Sequence, residues 1–354
     1  MMRFLLWKLP HVPRAIILNQ CDPANLIHLS LSSSKLRRCL EIKKLHATKL
    51  TWSFYTVCLS GSIIDVIKLK LEFANPGYYV EFNFGDTTSQ ELFSKMKVNG
   101  EKFLIHRKDY KFTLMNDNGT PSKIEGMEKM CNYLLKILYV KDFALMHTTP
   151  LRHFNVFDSF IWRIVTEFSS VRVITRGTDI YKKHDVEAFF NNVKVKDTLY
   201  LNIEVDKPYL STDVTLNCCG EVHIVSCDWL TVESLMKTKC KNCTIAFTLN
   251  ASIPNVVDLV SRWRDGQAFE DIEELKLTFP EINIAEALKK VDILENVATY
   301  TGRHTHLYNR VVKRKTDERF ANMNINNKEL RIVVLKGAKN ANELIDENDD
   351  ILDI

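Results

Sequence analysis

Glycine is scarce in this chain, at 11 of 354 residues. Backbone that must approach phosphate closely needs glycine. The sequence accordingly has no glycine-rich phosphate loop, and it also lacks G-x-S-x-G and H-E-x-x-H. P-loop nucleotide hydrolysis, nucleophile-elbow hydrolysis and zincin-type proteolysis are therefore excluded as readings of the sequence. No window approaches the roughly 20 apolar residues of a membrane helix. The opening MMRFLLWKLP is too short an apolar run for a signal peptide and is broken by Lys8 and Pro10. An excess of one charge is missing too: 48 Lys+Arg face 44 Asp+Glu, a net +4. A nucleic-acid partner calls for a clustered basic face rather than so small a surplus. Six bases against one acid do gather between Lys35 and Lys49, and six acids with no base between Glu343 and Ile354. The second run reads as a solvated acidic tail. Nine cysteines, an odd number scattered from Cys21 to Cys243, make no disulfide framework. Reduced thiols predict a soluble cytoplasmic or nuclear protein.

What is present is an apolar surplus near the start. Leu9 to Leu40 holds three short helical signals. Val12, Ile16 and Ile17 mark a first helix, closed at Cys21-Asp22. Asp22-Pro23 reads as an N-cap followed by a first-turn proline, which has no N–H to leave unsatisfied. The second helix carries Leu26, Ile27, Leu29 and Leu31, apolar on more than one side. Ser32 to Ser34 break it, and Ser34 can cap a third piece, Lys35 to Leu40. So small a unit needs a partner surface for its aliphatics, in this chain or on another protein.

Beyond it the period changes. Leu50, Trp52, Phe54 and Thr56 alternate as a strand, Ser60-Gly61-Ser62 turns, and Ile67, Leu69, Leu71 and Phe73 form a half-buried strand. Asn75-Pro76-Gly77 is a turn before the strand Tyr78 to Phe84. Phe103 to His106 and Tyr110 to Leu114 precede a further pair expected around Asp117-Asn118-Gly119. Met127, Met130, Cys131, Leu134, Leu135 and Leu138 recur at helical spacing and read as core. From Phe154 the order is regular. A helix over Phe157, Phe160, Ile161, Ile164, Val165 and Phe168 precedes the strand Val171 to Thr175. A helix capped by Asp185 precedes Leu199 to Val205. The strand Val222 to Ser226 precedes a short helix capped by Thr231. The strand Thr244 to Thr248 precedes a helix opened by Ser252 and Pro254 and ended by Gly266. Ile272 to Phe279 is one more strand. Strand centres near Val173, Leu201, Ile224, Ala246 and Lys276 stand 28, 23, 22 and 30 residues apart. That spacing favours an irregular leucine-rich-repeat-like solenoid, with a doubly wound sheet as the alternative. Ile284 to Leu294 adds a helix, and Arg310 to Leu335 reads as paired strands around a charged loop.

The candidates for chemistry are few. Cys240-x-x-Cys243, with Cys218, Cys219, Cys227 and His223, has thiols that can chelate zinc. It lacks a second C-x-x-C or an H-x-x-x-H, and ordinary buried thiols are the reading. His304-Thr305-His306 reads as a solvated loop, Lys313-Arg314-Lys315 as a solvated hairpin tip, and Lys43-Lys44 with His46 as an exposed helix face. The sequence predicts no metal, no cofactor and no catalysis.

Leu9-Pro10, Ile16-Ile17, Leu26-Ile27, Leu29-Ser30-Leu31-Ser32 and the basic Lys35, Arg37 and Arg38 resemble an F-box. Trp229-Leu230-Thr231, Leu235, Cys240-Lys241, Ser252, Asn255, Trp263, Gly266 and Glu274-Leu275 resemble the second type of F-box-associated domain. The pairing is characteristic of a large F-box family of nematodes. The resemblance implies an α/β chain with an N-terminal three-helix F-box over residues 5–48 and a mixed linking region over 49–150. A repeat-like region follows over 151–300, carrying the F-box-associated motif at about 200–279. A strand pair over 301–340 and an acidic tail over 341–354 complete it. It further implies a non-catalytic substrate receptor of an SCF-type ubiquitin ligase. Leu9, Pro10, Ile16, Ile17, Leu26, Ile27, Leu29 and Ser30 would dock a Skp-type adaptor and through it a cullin. Trp229, Leu230, Thr231, Cys240, Asn255, Trp263 and Gly266 would be structural or target-binding. The competing expectation is a general interaction scaffold whose F-box-like segment packs internally.

Overall fold

The computed structural model describes residues 10, 16–18, 20–59, 62–75, 77–85, 93–98, 101–116, 123–148, 154–175, 180–206, 214–226, 229–247, 253–279, 308–317, 319–325 and 329–335. The expected helix Ile284 to Leu294, His304 to His306, the turns at Ser60-Gly61 and Asp117 to Gly119, and the acidic tail lie outside these residues. The chain is mixed α/β and divides into two compact units, Met1–Met146 and His147–Ile354.

In the first unit, Asp22 caps α1 (Pro23–Ser32), its carboxylate accepting the Ala24 N–H at 2.6 Å. Helix α2 (Ser34–Ile42) follows directly. Its cap is Ser33, one residue before the expected Ser34, with the hydroxyl accepting the Leu36 N–H. Seven strands follow: β1 (Leu45–Leu59), β2 (Ser62–Glu72), β3 (Tyr79–Phe84), β4 (Ser94–Val98), β5 (Glu101–Lys108), β6 (Lys111–Asn116) and, after α3 (Lys123–Ile137), β7 (Leu138–Thr148). Their order is β7-β1-β2-β3-β6-β5-β4, antiparallel in β1-β2-β3 and β6-β5-β4 and parallel at β3-β6. The Tyr78 N–H closes the β2–β3 turn on the Asn75 carbonyl at 3.0 Å with Gly77 at φ +79°, the left-handed position of a type II turn. The element after β6 is α3 rather than a strand.

Period-two alternation sorts the two faces of this sheet. Trp52, Leu69, Phe82 and Phe112 lie opposite one another across β1, β2, β3 and β6, all buried, with Phe82 and Phe112 stacked at 4.9 Å. Helix α3 packs on this side against β2, β3, β4 and β6, burying Met127, Met130, Cys131, Leu134 and Ile137. The other side carries Lys68, paired with Glu81 at 3.3 Å, and Lys70, paired with Glu72 at 2.7 Å.

In the second unit the expected Phe157–Phe168 helix shrinks to a 3-10 turn (Val156–Asp158) and α4 (Ile161–Ile164). Val165 is already extended, and Phe168 belongs to β8 (Glu167–Ile174), where it is buried by alternation. Next come β9 (Ile180–Tyr181), α5 (Lys183–Asn192), β10 (Lys194–Asn202), β11 (Glu204–Val205), β12 (Glu221–Val225), α6 (Val232–Met236), β13 (Asn242–Ala246), α7 (Ile253–Arg264) and β14 (Glu274–Thr278). Asp185 does not cap α5. It lies in the first turn and accepts from Asn155, while Asp206, which β11 brings beside β9, accepts the Lys183 N–H at 2.8 Å. Strands β8, β10, β12, β13 and β14 are parallel neighbours in chain order, with no reversal. Where paired strands were expected, three antiparallel ones close this edge: β15 (Tyr308–Lys313), β16 (Phe320–Ile325) and β17 (Glu329–Leu335), with β17 on β14.

Candidate functional site

The F-box-like stretch is built on α1 and α2. Ile16 to Leu18 and Gln20 have helical backbone, and the Cys21 N–H donates to the Ile17 carbonyl at 3.1 Å. Asp22 also accepts from the Tyr78 hydroxyl, which ties the start of α1 to the β2–β3 turn. Helix α1 packs on α2 and β4, and α2 on α3. Leu26 is 2% exposed, and Ile27, Leu31, Leu36 and Leu40 are buried with it. Ser30 is buried as well, its hydroxyl bonded to the Ile27 carbonyl at 2.6 Å and the Tyr133 hydroxyl at 2.7 Å. Burial pushes the Tyr133 phenol up to about 12, a rise opposed by the Ser30 bond.

Three of the eight expected adaptor contacts, Leu26, Ile27 and Ser30, are thus part of this chain's own core, because α1 must cover the sheet. The outward face of α1 is Asn25, Leu29 and Ser32. Leu29 is 48% exposed, Ile16 51% and Ile42, at the end of α2, 88%. Pro10 is exposed, Ile17 half-buried, and Leu9 lies outside the described residues. Ile42 was not singled out in the sequence; its place just past the buried Leu36 and Leu40 was the available signal. Beside Leu29, His28 faces Phe112 at 5.9 Å and Arg107 at 3.4 Å, and burial first, then Arg107, holds its imidazole below its ordinary value.

Most of the residues that resemble an F-box-associated domain are packed into the fold of the second unit. The Trp229 indole N–H donates to the Ile203 carbonyl at 3.1 Å and its ring stacks on Phe190. Leu230, Cys240 and Trp263 are buried. The Thr231 hydroxyl caps α6 by accepting the Ser234 N–H at 3.1 Å. Gly266 ends α7 at φ +74°. Its N–H bonds to the Trp263 carbonyl and that of Gln267 to the Arg262 carbonyl, the Schellman pair. Asn255 lies on α7, with its side chain outside the described residues.

Cys243 and Cys218 are buried like Cys240, Cys219 is exposed, and Cys227 is not described. Desolvation pushes the Cys218 thiol up to about 12, away from the thiolate that binds metal or attacks. Among the described residues no three His, Cys, Asp or Glu side chains are grouped to hold a metal. Arg314 is not a solvated hairpin tip. It is buried, donating to the Glu270 carbonyl at 3.3 Å and pairing with Asp317 at 3.4 Å, while Lys315 pairs with Asp265 at 2.9 Å. The β15–β16 connection is in this way fastened to the end of α7. A half-open cleft of about 610 Å3 lies before β13 and β14, where Lys239 and Lys241 oppose Asp271 and Glu273.

Sequence reading also missed a row on the sheet face opposite the buried residues. Each parallel strand has a central triplet with apolar flanks: Val171-Arg172-Val173, Leu199-Tyr200-Leu201, Val222-His223-Ile224, Cys243-Thr244-Ile245 and Leu275-Lys276-Leu277. The register sets Arg172, Tyr200, His223, Thr244 and Lys276 side by side, with Arg331 of β17 next. The repeated apolar–x–apolar triplet was the signal for it.

Neither protein-family models, nor curated proteins, nor solved structures match this chain. Among the described residues no helix is long and apolar enough to cross a membrane. The fold defines a mixed α/β protein of two units, with apolar side chains turned outward on its N-terminal helices and a polar row on its parallel sheet.

Proposed function

We propose that this chain is a non-catalytic substrate receptor of an SCF-type ubiquitin ligase, acting in the cytoplasm or nucleus. Its N-terminal helices form the F-box and dock a Skp-type adaptor, which bridges to a cullin. The second unit holds a protein target for ubiquitin transfer by other subunits. The observation that carries this reading is Leu29, half exposed on the stretch whose residues resemble an F-box, with Ile16 and Ile42 exposed on the same stretch. Fully burying one such side chain is worth about 1.5–3 kcal/mol, so three partly exposed ones offer several kcal/mol toward the cost of association. The five parallel strands in chain order are read as turns of an irregular leucine-rich-repeat-like solenoid, since a doubly wound sheet reverses its order at a switch point. The stretch at about 200–279 within it is read as carrying the F-box-associated motif.

A second reading has its own observation. Leu26, Ile27 and Ser30 are packed inside the first unit, as in a general scaffold whose F-box-like helices bind no ligase. Co-purification with a Skp-type adaptor separates the two. Wild type is expected to bind, and a chain carrying Ile16→Asp and Leu29→Asp to lose binding without a change in melting temperature. Absence of wild-type binding at micromolar concentrations would leave the scaffold.

A further inference from the structure

The polar row of the second unit identifies a chemistry for the target. The Arg172 guanidinium lies over the Tyr200 ring at 4.8 Å, and that ring stacks on His223 at 6.2 Å and 29°. These are the kinds of side chain that anchor protein interfaces: a planar cation pre-ordered on an aromatic face, and a half-exposed tyrosine. Among the described residues, the cations Lys276 and Arg331 of this face have carboxylate partners and Arg172 has none. Lys276 pairs with Glu329 at 3.1 Å, Arg331 with Glu274 at 2.8 Å, and His223 lies 3.6 Å from Glu221. Arg172 has Tyr200 beside it and, among the described residues, no carboxylate within ion-pair distance. On its own strand the residues of the same face are Ser170 and Ile174; across on β10 and β12 they are Thr198, Asn202, Glu221 and Val225, with Glu221 opposite Thr198 and beside His223. An uncompensated guanidinium held over a ring keeps its fork of N–H donors for a planar acceptor such as a carboxylate.

We propose that Arg172, Tyr200 and His223 are the contact point for a target segment that places an aspartate or glutamate on Arg172 and an apolar side chain against Tyr200 and Ile174. This names the target chemistry of the receptor reading above and rests on it. A protein segment suits the face better than nucleic acid, because Glu274 and Glu329 already pair with Arg331 and Lys276 and the row offers no run of unpaired cations to a phosphate backbone. Strands lie about 4.8 Å apart, so the row from Arg172 to Lys276 spans roughly 19 Å, the reach of about six extended residues.

The test uses the full chain and two pools of fluorescein-labelled 12-residue peptides, randomised around a fixed Asp-x-Leu or around Asn-x-Leu. Fluorescence anisotropy is expected to show the acidic pool binding at least tenfold tighter. Arg172→Gln should erase the preference, and Tyr200→Ala should weaken both pools, each with an unchanged melting temperature. Arg172→Lys keeps the charge without the fork and should retain only part of the preference. Equal binding of the pools, no binding of either, or a preference that survives Arg172→Gln overturns the proposal. Adaptor binding by the same preparation reports on the receptor reading separately, since it uses the other unit.

Discussion

Replacing Leu26 and Leu29 by alanine, one at a time, tests whether α1 has an inner and an outer side. The two leucines are three residues apart on one helix, share the same chemistry and have the same intrinsic helix propensity. They differ in burial, at 2% exposed for Leu26 and 48% for Leu29. Truncating a core leucine loses its transfer energy and leaves a cavity, together about 2–5 kcal/mol. Leu26 is buried on a helix that packs on α2 and β4, so about 3 kcal/mol is expected for Leu26→Ala. Leu29 already faces solvent over half its surface and leaves no enclosed void, so Leu29→Ala should cost under about 1 kcal/mol. At roughly 2–4 °C per kcal/mol for units of this size, Leu26→Ala should melt about 6–12 °C below wild type and Leu29→Ala within about 4 °C. Circular dichroism melts, with urea titrations alongside, measure both. In the adaptor co-purification the order reverses: Leu29→Asp should abolish capture although the chain remains folded. Equal melting shifts for the two alanine variants, or Leu26→Ala melting with wild type, would refute the inner and outer assignment of α1.

Three further outcomes are expected. Tyr133→Phe removes the hydroxyl bonded to Ser30, and because Ser30 keeps the Ile27 carbonyl, the loss should be about 1 kcal/mol in a urea titration, with little added by Ser30→Ala in the same chain. Gly266→Ala puts a side chain at φ +74° and against Thr316, so it should cost more than the ~1 kcal/mol of the left-handed backbone alone; an unchanged melting temperature would contradict the Schellman stop. Burial lowers the His147 imidazole from 6.5 to about 4, beside Tyr181 at 3.3 Å. The folded value lies below the unfolded one, so the unfolded chain takes up the proton first. Stability is therefore full above pH 6.5 and lost progressively toward pH 4, by roughly 3 kcal/mol in all. Urea midpoints at pH 7 and pH 5 should differ in wild type and much less in His147→Gln.

How much of this was legible depended on whether the determining contact was local. The Asp22–Pro23 start of α1, the Thr231 cap and the Gly266 stop rest on atoms within five residues, and each is where the sequence placed it. The alternation of Lys68 and Lys70 with Ile67, Leu69 and Leu71 is equally local, since burial on one sheet face imposes it. The cap of α5 is not legible because Asp206 comes beside Lys183 only through the pairing of β11 with β9, and proximity of that kind leaves no spacing to read. Phe168 reads as helix in the sequence because aromatic residues at mixed spacing satisfy both periods over a short window. The Arg172–Tyr200–His223 row depends on register between strands, which is tertiary.

The sidedness of α1 is the most instructive of these cases. The hydrophobic effect sets the side of α1 only broadly: a full one-residue rotation, about 100°, would carry Asn25, His28 and Ser32 inward, but smaller rotations toward Leu29 are less costly. Polar contacts fix what the aliphatics leave open. Asp22, bonded to Ala24 and Tyr78, sets where the helix begins, and the buried Ser30 hydroxyl meets Tyr133 at a single rotation. A rotation that turned Leu29 inward would carry Ser30 away from Tyr133 and leave a buried phenol without its partner, at about 1–3 kcal/mol. The Ser30–Tyr133 bond thereby chooses which leucine belongs to the core and which faces outward. On this argument Ser30, an expected adaptor contact, acts on docking only through the orientation of Leu29. Its substitution by alanine should weaken adaptor capture less than Leu29→Asp does.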